Sequence, residues 1–157
     1  MKMRTRKEII TKLKTYFSTR ELVCPHTYAK FGEQSWQVLK TEILETILLL
    51  REDILNVPMT CNTYHNGGNI TQRGNRCNIC PLVSSKTKQG ISYLSAHTNG
   101  AGFDFVFSTM SAEQARTLIK QNKDKLPYPV RIEANVSWLH IDCYDPTNGS
   151  TKVYEFK

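Results

Sequence analysis

Two segments of strict alternation constrain the fold of this chain more than any other feature. In Phe103-Asp-Phe-Val-Phe107 every second residue is phenylalanine, and in Trp138-Leu-His-Ile-Asp142 aliphatic side chains alternate with aromatic or ligand-forming ones. Because successive side chains of a strand point to opposite faces of a sheet, each segment predicts a strand with one apolar and one polar face. We therefore expect Asp104, His140 and Asp142 on the polar faces, and the phenylalanines in the core.

The remaining pattern predicts helices first and strands last. Apolar side chains recur at helical spacing over 35–53, and serine-led capping boxes at Ser18 and Ser111 predict two further helix starts. The other predicted elements are a helix over 4–16 and strands over 57–63, 130–133, 136–144 and 151–156. Residues 65–92 predict a long loop at the rim of a site. This order indicates one α+β domain over 1–157, with helices packed on a central antiparallel sheet.

Composition and charge restrict the function classes. Hydrophobic residues make up 39% and charged residues 22% of the chain, which is typical of a soluble globular protein. We expect no transmembrane segment, because no run of about 18 apolar residues occurs, and no signal peptide, because the basic N-terminus lacks an apolar core. The net charge of +7 suits a polyanionic partner, such as nucleic acid, a membrane surface or a bacterial wall. The N-terminal basic residues are Lys2, Arg4, Arg6, Lys7, Lys12 and Lys14.

The cysteines raise a separate question. There are 5 of them, and an odd count argues against a fully paired disulfide framework. Cys77-Asn-Ile-Cys80 has the spacing of a zinc knuckle or of a redox pair. A structural zinc would need two more ligands, from among Cys24, Cys61, His26 and His65. The sequence favours ordinary thiols in and around a loop, and it leaves open a basic nucleic-acid-binding protein built on such a knuckle.

A stronger metal-binding pattern combines three residues. His97 precedes a Gly-rich turn that leads to Asp104, and His140 lies on the polar face of the second alternating segment. Two histidines and one carboxylate leave a fourth tetrahedral position for water, which is the composition of a catalytic zinc site. Zinc in such a site lowers the pKa of water and polarises a carbonyl group.

These motifs resemble those of a known family. The first motif is Ser95-x-His97, with Asp104 following after six residues, and the second is Trp138-x-His140-x-Asp142. Both are similar to the motifs of the zinc D-Ala-D-Ala peptidase family. That family is related to the Hedgehog signalling domain and to lysostaphin-type enzymes. The resemblance spans residues 16–142. It implies an α+β fold with a central antiparallel sheet, and Zn²⁺ bound by His97, Asp104 and His140. Many members are bacteriophage endolysins or wall hydrolases that cut peptidoglycan.

The resemblance also suggests the other catalytic groups. Relatives place an arginine upstream of the first ligand to hold a substrate carbonyl or carboxylate, and Arg76 is favoured over Arg73 for this role. Some relatives carry a glutamate three residues before the last ligand, where this chain has Ser137. The alternatives for the general base are Glu133, which is favoured, and Asp142, which could instead orient a ligand.

The implied activity is that of a zinc metallopeptidase of the D,D-carboxypeptidase or endopeptidase type. It would hydrolyse peptidoglycan stem peptides or cross-links, bind no nucleic acid and act as a monomer. We expect it to be made in the cytoplasm and to act on the bacterial cell wall, either phage-encoded or exported by another route. The alternative is a non-hydrolytic zinc-binding domain with a virion or wall-binding role.

Overall fold

Six α-helices and four strands form the protein across residues 3–157, which are the residues that the computed structural model describes. Met1 and Lys2, which belong to the predicted domain and its basic N-terminus, lie outside them. The helices are α1 (Arg6–Leu13), α2 (Thr19–Leu22), α3 (Pro25–Phe31), α4 (Thr41–Leu49), α5 (Pro81–Lys88) and α6 (Ala112–Gln121). The strands are β1 (Gly102–Phe105), β2 (Val130–Glu133), β3 (Leu139–Asp142) and β4 (Val153–Phe156). The predicted α+β class is confirmed. Within residues 3–157, no helix has the length and apolar character needed to cross a bilayer.

The four strands form one mixed sheet in the order β1-β3-β2-β4. β3 pairs antiparallel with both β1 and β2, whereas β4 pairs parallel with β2. The predicted antiparallel sheet is therefore wrong at one edge. The reason is that β1 and β2 already occupy both edges of β3. β4 reverses direction after β3 and joins the sheet at the far edge of β2, where it runs parallel to that strand.

The sheet has the two chemically different faces that alternation predicts. Pairing of Asp104 with His140, and of Arg131 with Asp142, gathers polar side chains on one face. The other face carries Phe103, Phe105, Ile132, Leu139 and Ile141, all of which are fully buried. One face of the sheet therefore packs in the core, and the other presents the polar side chains that can form a functional site.

The apolar face of the sheet is covered by the early helices. Ile9 and Leu13 of α1 and Ile43 and Ile47 of α4 belong to the same core cluster as the sheet phenylalanines. Burying each of these side chains contributes about 1.5–3 kcal/mol relative to leaving it in water. The early helices thus stabilise the sheet from the side opposite the polar face.

The helix predicted over 35–53 is divided into three pieces. A 3₁₀ segment, Gly32–Val38, precedes α4, and a π-helical turn, Leu50–Ile54, follows it. The first break occurs where the Lys40 N–H donates to the carbonyl of Gly100, at 2.8 Å. Gly100 has φ +63°, and a Cβ there would collide with the Val38 carbonyl oxygen. This close approach of two backbones, which only glycine allows, is a long-range contact that helical periodicity does not reveal.

Other predicted elements fit in part. Ser18 and Ser111 cap α2 and α6 as predicted, each accepting from the backbone N–H three residues later. The predicted strand over 57–63 is reduced to a single bridge between Thr60 and Val106. The predicted loop over 65–92 contains α5, so it is partly helical.

Candidate metal centre

His97, Asp104 and His140 converge on one buried point. The β1–β3 register places Asp104 directly opposite His140, and His97 comes from the turn that leads into β1. His140 Nδ1 lies 2.8 Å and His97 Nε2 lies 3.4 Å from Asp104 Oδ1. The three side chains have ligand atoms within 4.8 Å of one another. Their exposed fractions are 4%, 5% and 7%, so solvent competes little for these atoms.

The orientation of His97 is fixed by a backbone carbonyl. Its Nδ1 lies 2.9 Å from the Gly74 carbonyl oxygen, which can only accept, so Nδ1 carries the proton. Nε2 is then the nitrogen that faces Asp104. Gly74 reaches this position because it has no side chain: a Cβ there would collide with the Leu22 carbonyl oxygen. The tautomer of His97 thus depends on a close approach between two backbone segments.

The orientation of His140 is fixed by a carboxylate. Its Nε2 lies 2.7 Å from Asp142 Oδ2, which leaves Nδ1 to face Asp104. Asp142 is fully buried and also accepts two hydrogen bonds from Arg131, at 2.9 and 2.8 Å, and one from the Tyr144 N–H, at 2.9 Å. A carboxylate on the far nitrogen of a metal-binding histidine orients the ring and increases its basicity. Asp142 is placed for that role.

The charges around His140 favour a proton on its ring. Burial opposes the charged imidazole, but hydrogen bonds to Asp104 and Asp142 outweigh it and raise the pKa of His140 to about 9. Burial also opposes ionisation of Asp104, yet its hydrogen bonds with His140 and His97 hold its pKa well below the usual value. The pKa of Asp142 is likewise lowered by His140 and Arg131, against the effect of burial. A cation that binds His140 Nδ1 must displace the proton there, so metal binding at this centre releases a proton.

The donor set is compatible with a transition-metal ion. Imidazole nitrogens suit zinc, copper, iron and nickel, whereas calcium and magnesium prefer oxygen ligands. Around a tetrahedral ion with bonds of 2.0–2.1 Å, ligand atoms lie about 3.3 Å apart. The 3.4 Å separation of His97 Nε2 from Asp104 Oδ1 is close to that value. The 2.8 Å separation of His140 Nδ1 from the same oxygen is that of a hydrogen bond, and it would have to lengthen by about 0.5 Å around such an ion. Three protein ligands would leave one position open for water or substrate.

Arg76 lies against this centre, where the resemblance placed an arginine. Its terminal nitrogen is 3.7 Å from Asp104 Oδ2, and it is only 8% exposed. Its remaining donors bind the Gln72 carbonyl, at 2.6 Å, and the Tyr93 hydroxyl, at 2.9 Å. These contacts hold the guanidinium beside the candidate metal ligands.

Arg73 lies on the same segment but in a different setting. Its carbonyl accepts from the Asp104 N–H at 2.8 Å, while its guanidinium lies over the Trp138 ring, 4.5 Å from the centroid. Ser95 Oγ accepts from the Thr98 N–H at 3.2 Å and stabilises the turn that carries His97. Arg73 and Ser95 therefore support the backbone around the site, whereas Arg76 presents its charge to the site.

Glu133 lies on the polar face of the sheet next to the centre. Glu133 follows the last pair of the β2–β3 register, Ile132 with Ile141, and by strand alternation it shares the face of Arg131. Its own pairing partner is Phe156 of β4. Glu133 is partly exposed, unlike the fully buried Asp142. The Phe156 ring packs edge-on against His140 on this face, with ring centroids 5.7 Å apart. Of the two predicted bases, Glu133 is the one that solvent can reach.

Two further arginines support the site, and the sequence patterns did not point to either. Arg131 holds Asp142 through the two hydrogen bonds that it donates. Arg116 of α6 is 3% exposed and donates to the carbonyls of Glu133, Val136 and Trp138, at 3.3, 3.1 and 3.1 Å. The position of Arg116 on the buried stripe of α6 could have predicted this role. A charged side chain on an apolar helix face needs hydrogen-bond acceptors from the rest of the protein.

A second group of ligand-type side chains includes Cys77, which directly follows Arg76 in the chain. Cys24, His26, Cys77 and Cys80 also have ligand atoms within 4.8 Å of one another. Of the four partners suggested for the Cys77–Cys80 pair, Cys24 and His26 join it. Cys61 instead lies in the main core cluster, and the His65 ring contacts Ser18. Residues 3–157 thus contain two groups of side chains that could each hold a metal ion.

Comparisons of this chain with known protein families, with curated proteins and with solved structures give no match. The chemistry of the centre is therefore inferred from its own residues and distances.

Proposed function

We propose that this protein is a zinc-dependent peptidase that hydrolyses stem peptides or cross-links of peptidoglycan, with a fold of the Hedgehog and D-Ala-D-Ala peptidase type. The observation that carries the proposal is the convergence of His97, Asp104 and His140, in which an acceptor fixes the far nitrogen of each histidine. A purely structural cluster does not need the open fourth position that these three ligands leave.

Each group near the centre has a role in this proposal. Zinc, when bound, supplies a water of lowered pKa and a Lewis acid for the substrate carbonyl. Glu133 accepts the proton of the attacking water and returns it to the leaving amine. Arg76 donates hydrogen bonds to the carbonyl oxygen as negative charge develops on it. Asp142 holds the His140 ring in the orientation that binds metal.

A cavity of about 660 Å³ lies beside Arg76. Its lining includes His26 and Cys77 but none of His97, Asp104 and His140, so it lies against the cysteine–histidine group and is not the substrate site of this proposal. The net charge of +7 adds attraction to an anionic bacterial wall. We place the site of action at that wall, with the protein acting as a monomer, phage-encoded or exported by another route.

A non-hydrolytic zinc-binding role is the second candidate. The observation in its favour is that Ser137 stands where some relatives carry a glutamate, while Asp142 is fully engaged by Arg131, His140 and Tyr144. General-base catalysis would then depend on Glu133 alone.

Digestion of purified peptidoglycan, followed by mass spectrometry of the released fragments, separates these two functions. The zinc-loaded protein should produce new peptide termini, and the His140→Ala variant should produce none. His65→Ala is the matched control, because His65 lies in the Tyr64–Asn66 turn outside both metal groups. One equivalent of zinc at this centre, without cleavage of any of several peptidoglycan types, would overturn the peptidase proposal in favour of the binding role.

A further inference from the structure

We infer that Cys24, His26, Cys77 and Cys80 form a second, closed metal site that binds one structural zinc ion. This site shares no ligand with the first centre. The inference does not depend on peptidase activity, because it concerns what holds the chain together rather than what the chain cleaves.

The distances among three of the four ligand atoms match a tetrahedral zinc site, and the Cys24 sulfur lies within 4.8 Å of these three. The sulfur atoms of Cys77 and Cys80 lie 3.7 Å apart, and His26 Nδ1 lies 3.4 Å from the first and 3.7 Å from the second. With Zn–S bonds of about 2.3 Å and Zn–N bonds of about 2.0–2.1 Å, a tetrahedron places two sulfurs about 3.8 Å apart and sulfur and nitrogen about 3.6 Å apart. All three separations fall within about 0.2 Å of these values.

Two local motifs present the four ligands. Cys24 is the N-cap of α3 and accepts from the Thr27 N–H at 3.4 Å, which places His26 in the first helical turn. The Cys77–Cys80 turn is closed by a hydrogen bond from the Cys80 N–H to the Cys77 carbonyl, at 3.2 Å. Structural zinc sites are typically built from such closely spaced ligand pairs, brought together from two distant segments.

A disulfide, a redox pair or a set of core thiols would each account for fewer members of this cluster. A disulfide between Cys77 and Cys80 requires a sulfur separation of about 2.05 Å and does not explain why Cys24 and His26 approach the pair. A redox pair formed by the partly exposed Cys77 and the buried Cys80 would leave the approach of the buried Cys24 and of the His26 imidazole unexplained. Ordinary core thiols pack against apolar groups, whereas here an imidazole nitrogen faces two sulfurs. Four protein ligands complete a tetrahedron, so the site is closed to substrate.

The proposed zinc would anchor the segment that supports the first centre. Cys77 directly follows Arg76, whose guanidinium faces Asp104. In the same segment, Gly74 fixes the His97 tautomer and Arg73 holds the Asp104 backbone. Tying Cys77 and Cys80 to α3 would therefore restrain the end of the 73–80 segment that follows Arg76.

Cobalt substitution tests this inference, because only a site with thiolate ligands gives a thiolate-to-cobalt charge-transfer band in the near ultraviolet. We expect the full-length, reduced, metal-free protein to bind two equivalents of Co²⁺, one of which gives this band together with strong tetrahedral visible bands. Cys77→Ser should lose the charge-transfer intensity of one ligand and bind the ion more weakly. His97→Ala should keep the full band and lose the other equivalent.

Cys143→Ser is the matched control, because Cys143 is partly buried but lies outside both metal groups. It should keep both equivalents and the full band. His26→Ala changes an exposed ligand and provides a second test should Cys77→Ser not fold. The inference is overturned if the reduced wild-type protein gives no thiolate band, or if both Cys77→Ser and His26→Ala give the same spectrum and affinity as the wild type. Loss of peptidoglycan cleavage alone leaves this result unchanged.

Discussion

The hydrogen-bond partners of the two histidines decide which of their nitrogens can bind a metal. The Gly74 carbonyl takes the Nδ1 proton of His97, and Asp142 faces Nε2 of His140, so the two rings use different nitrogens at the centre. Such partners matter because a free imidazole must choose both a tautomer and a ring orientation before it binds. Much of the expected affinity therefore depends on residues that do not contact the metal.

Replacing Asp142 with asparagine tests this dependence. An amide cannot stabilise the His140 ring as a carboxylate does, so we expect metal affinity at the first centre to fall by about 10–100-fold. Competition with a chromophoric chelator measures the change, and Asp124→Asn, an exposed residue in the Lys123–Lys125 turn, is the control. Equal affinities for the wild type and Asp142→Asn would show that the carboxylate is dispensable for metal binding.

Replacing Glu133 with glutamine separates metal binding from catalysis. The amide keeps the shape of the side chain but cannot accept a proton, so we expect zinc content to be unchanged and peptide cleavage to fall by about 10²–10⁴-fold. Metal analysis and the rate of fragment release measure the two quantities on the same sample. Wild-type cleavage by this variant would exclude Glu133 as the general base.

Individual elements position the site through contacts that lie far apart in the sequence. The β1–β3 pairing sets Asp104 against His140, and the buried Arg116 of α6 binds three carbonyls of the β2–β3 hairpin. Helix and hairpin thus form one unit, and the hairpin carries both Glu133 and the strand that ends in Asp142.

Replacing Arg116 with methionine should weaken this unit. Methionine fills similar space but leaves the three partly buried carbonyls without their donor, and a buried polar group that loses its partner costs about 1–3 kcal/mol. We expect the free energy of unfolding to fall by on the order of 3 kcal/mol. Urea denaturation measures it, with Lys120→Met on the exposed side of the same helix as control. A loss no larger than that of the control would contradict the proposed role of Arg116.

At the scale of the whole molecule, residues 73–80 connect the two candidate metal groups. One end of this segment supports His97 and Asp104, and the other end carries Cys77 and Cys80. Ligands that bind only the folded state stabilise it by mass action, so the stability of the entire chain should depend on metal.

Metal removal should therefore lower the unfolding temperature. Free zinc at about 100 times its Kd stabilises a single site by about 2.7 kcal/mol, which corresponds to roughly 5–10 °C for a chain of this size. Calorimetry with a chelator, then with added Zn²⁺ or Mg²⁺, measures the effect, and only Zn²⁺ should restore the transition. An unfolding temperature unaffected by the chelator, in protein shown to be free of metal, would contradict the prediction.

The sequence by itself determined the features that depend on local periodicity. Alternation in the segments around Asp104 and His140 predicted two strands with one polar face, and spacing identified the helix caps at Ser18 and Ser111. The pairing of β4 with β2, the break before α4 and the selection of Cys24 and His26 over Cys61 and His65 were decided by the tertiary structure. Periodicity reports which side of an element faces the core, because that depends on neighbouring residues along the chain. Which distant segments meet depends on how the whole chain fills space, and no local pattern encodes that.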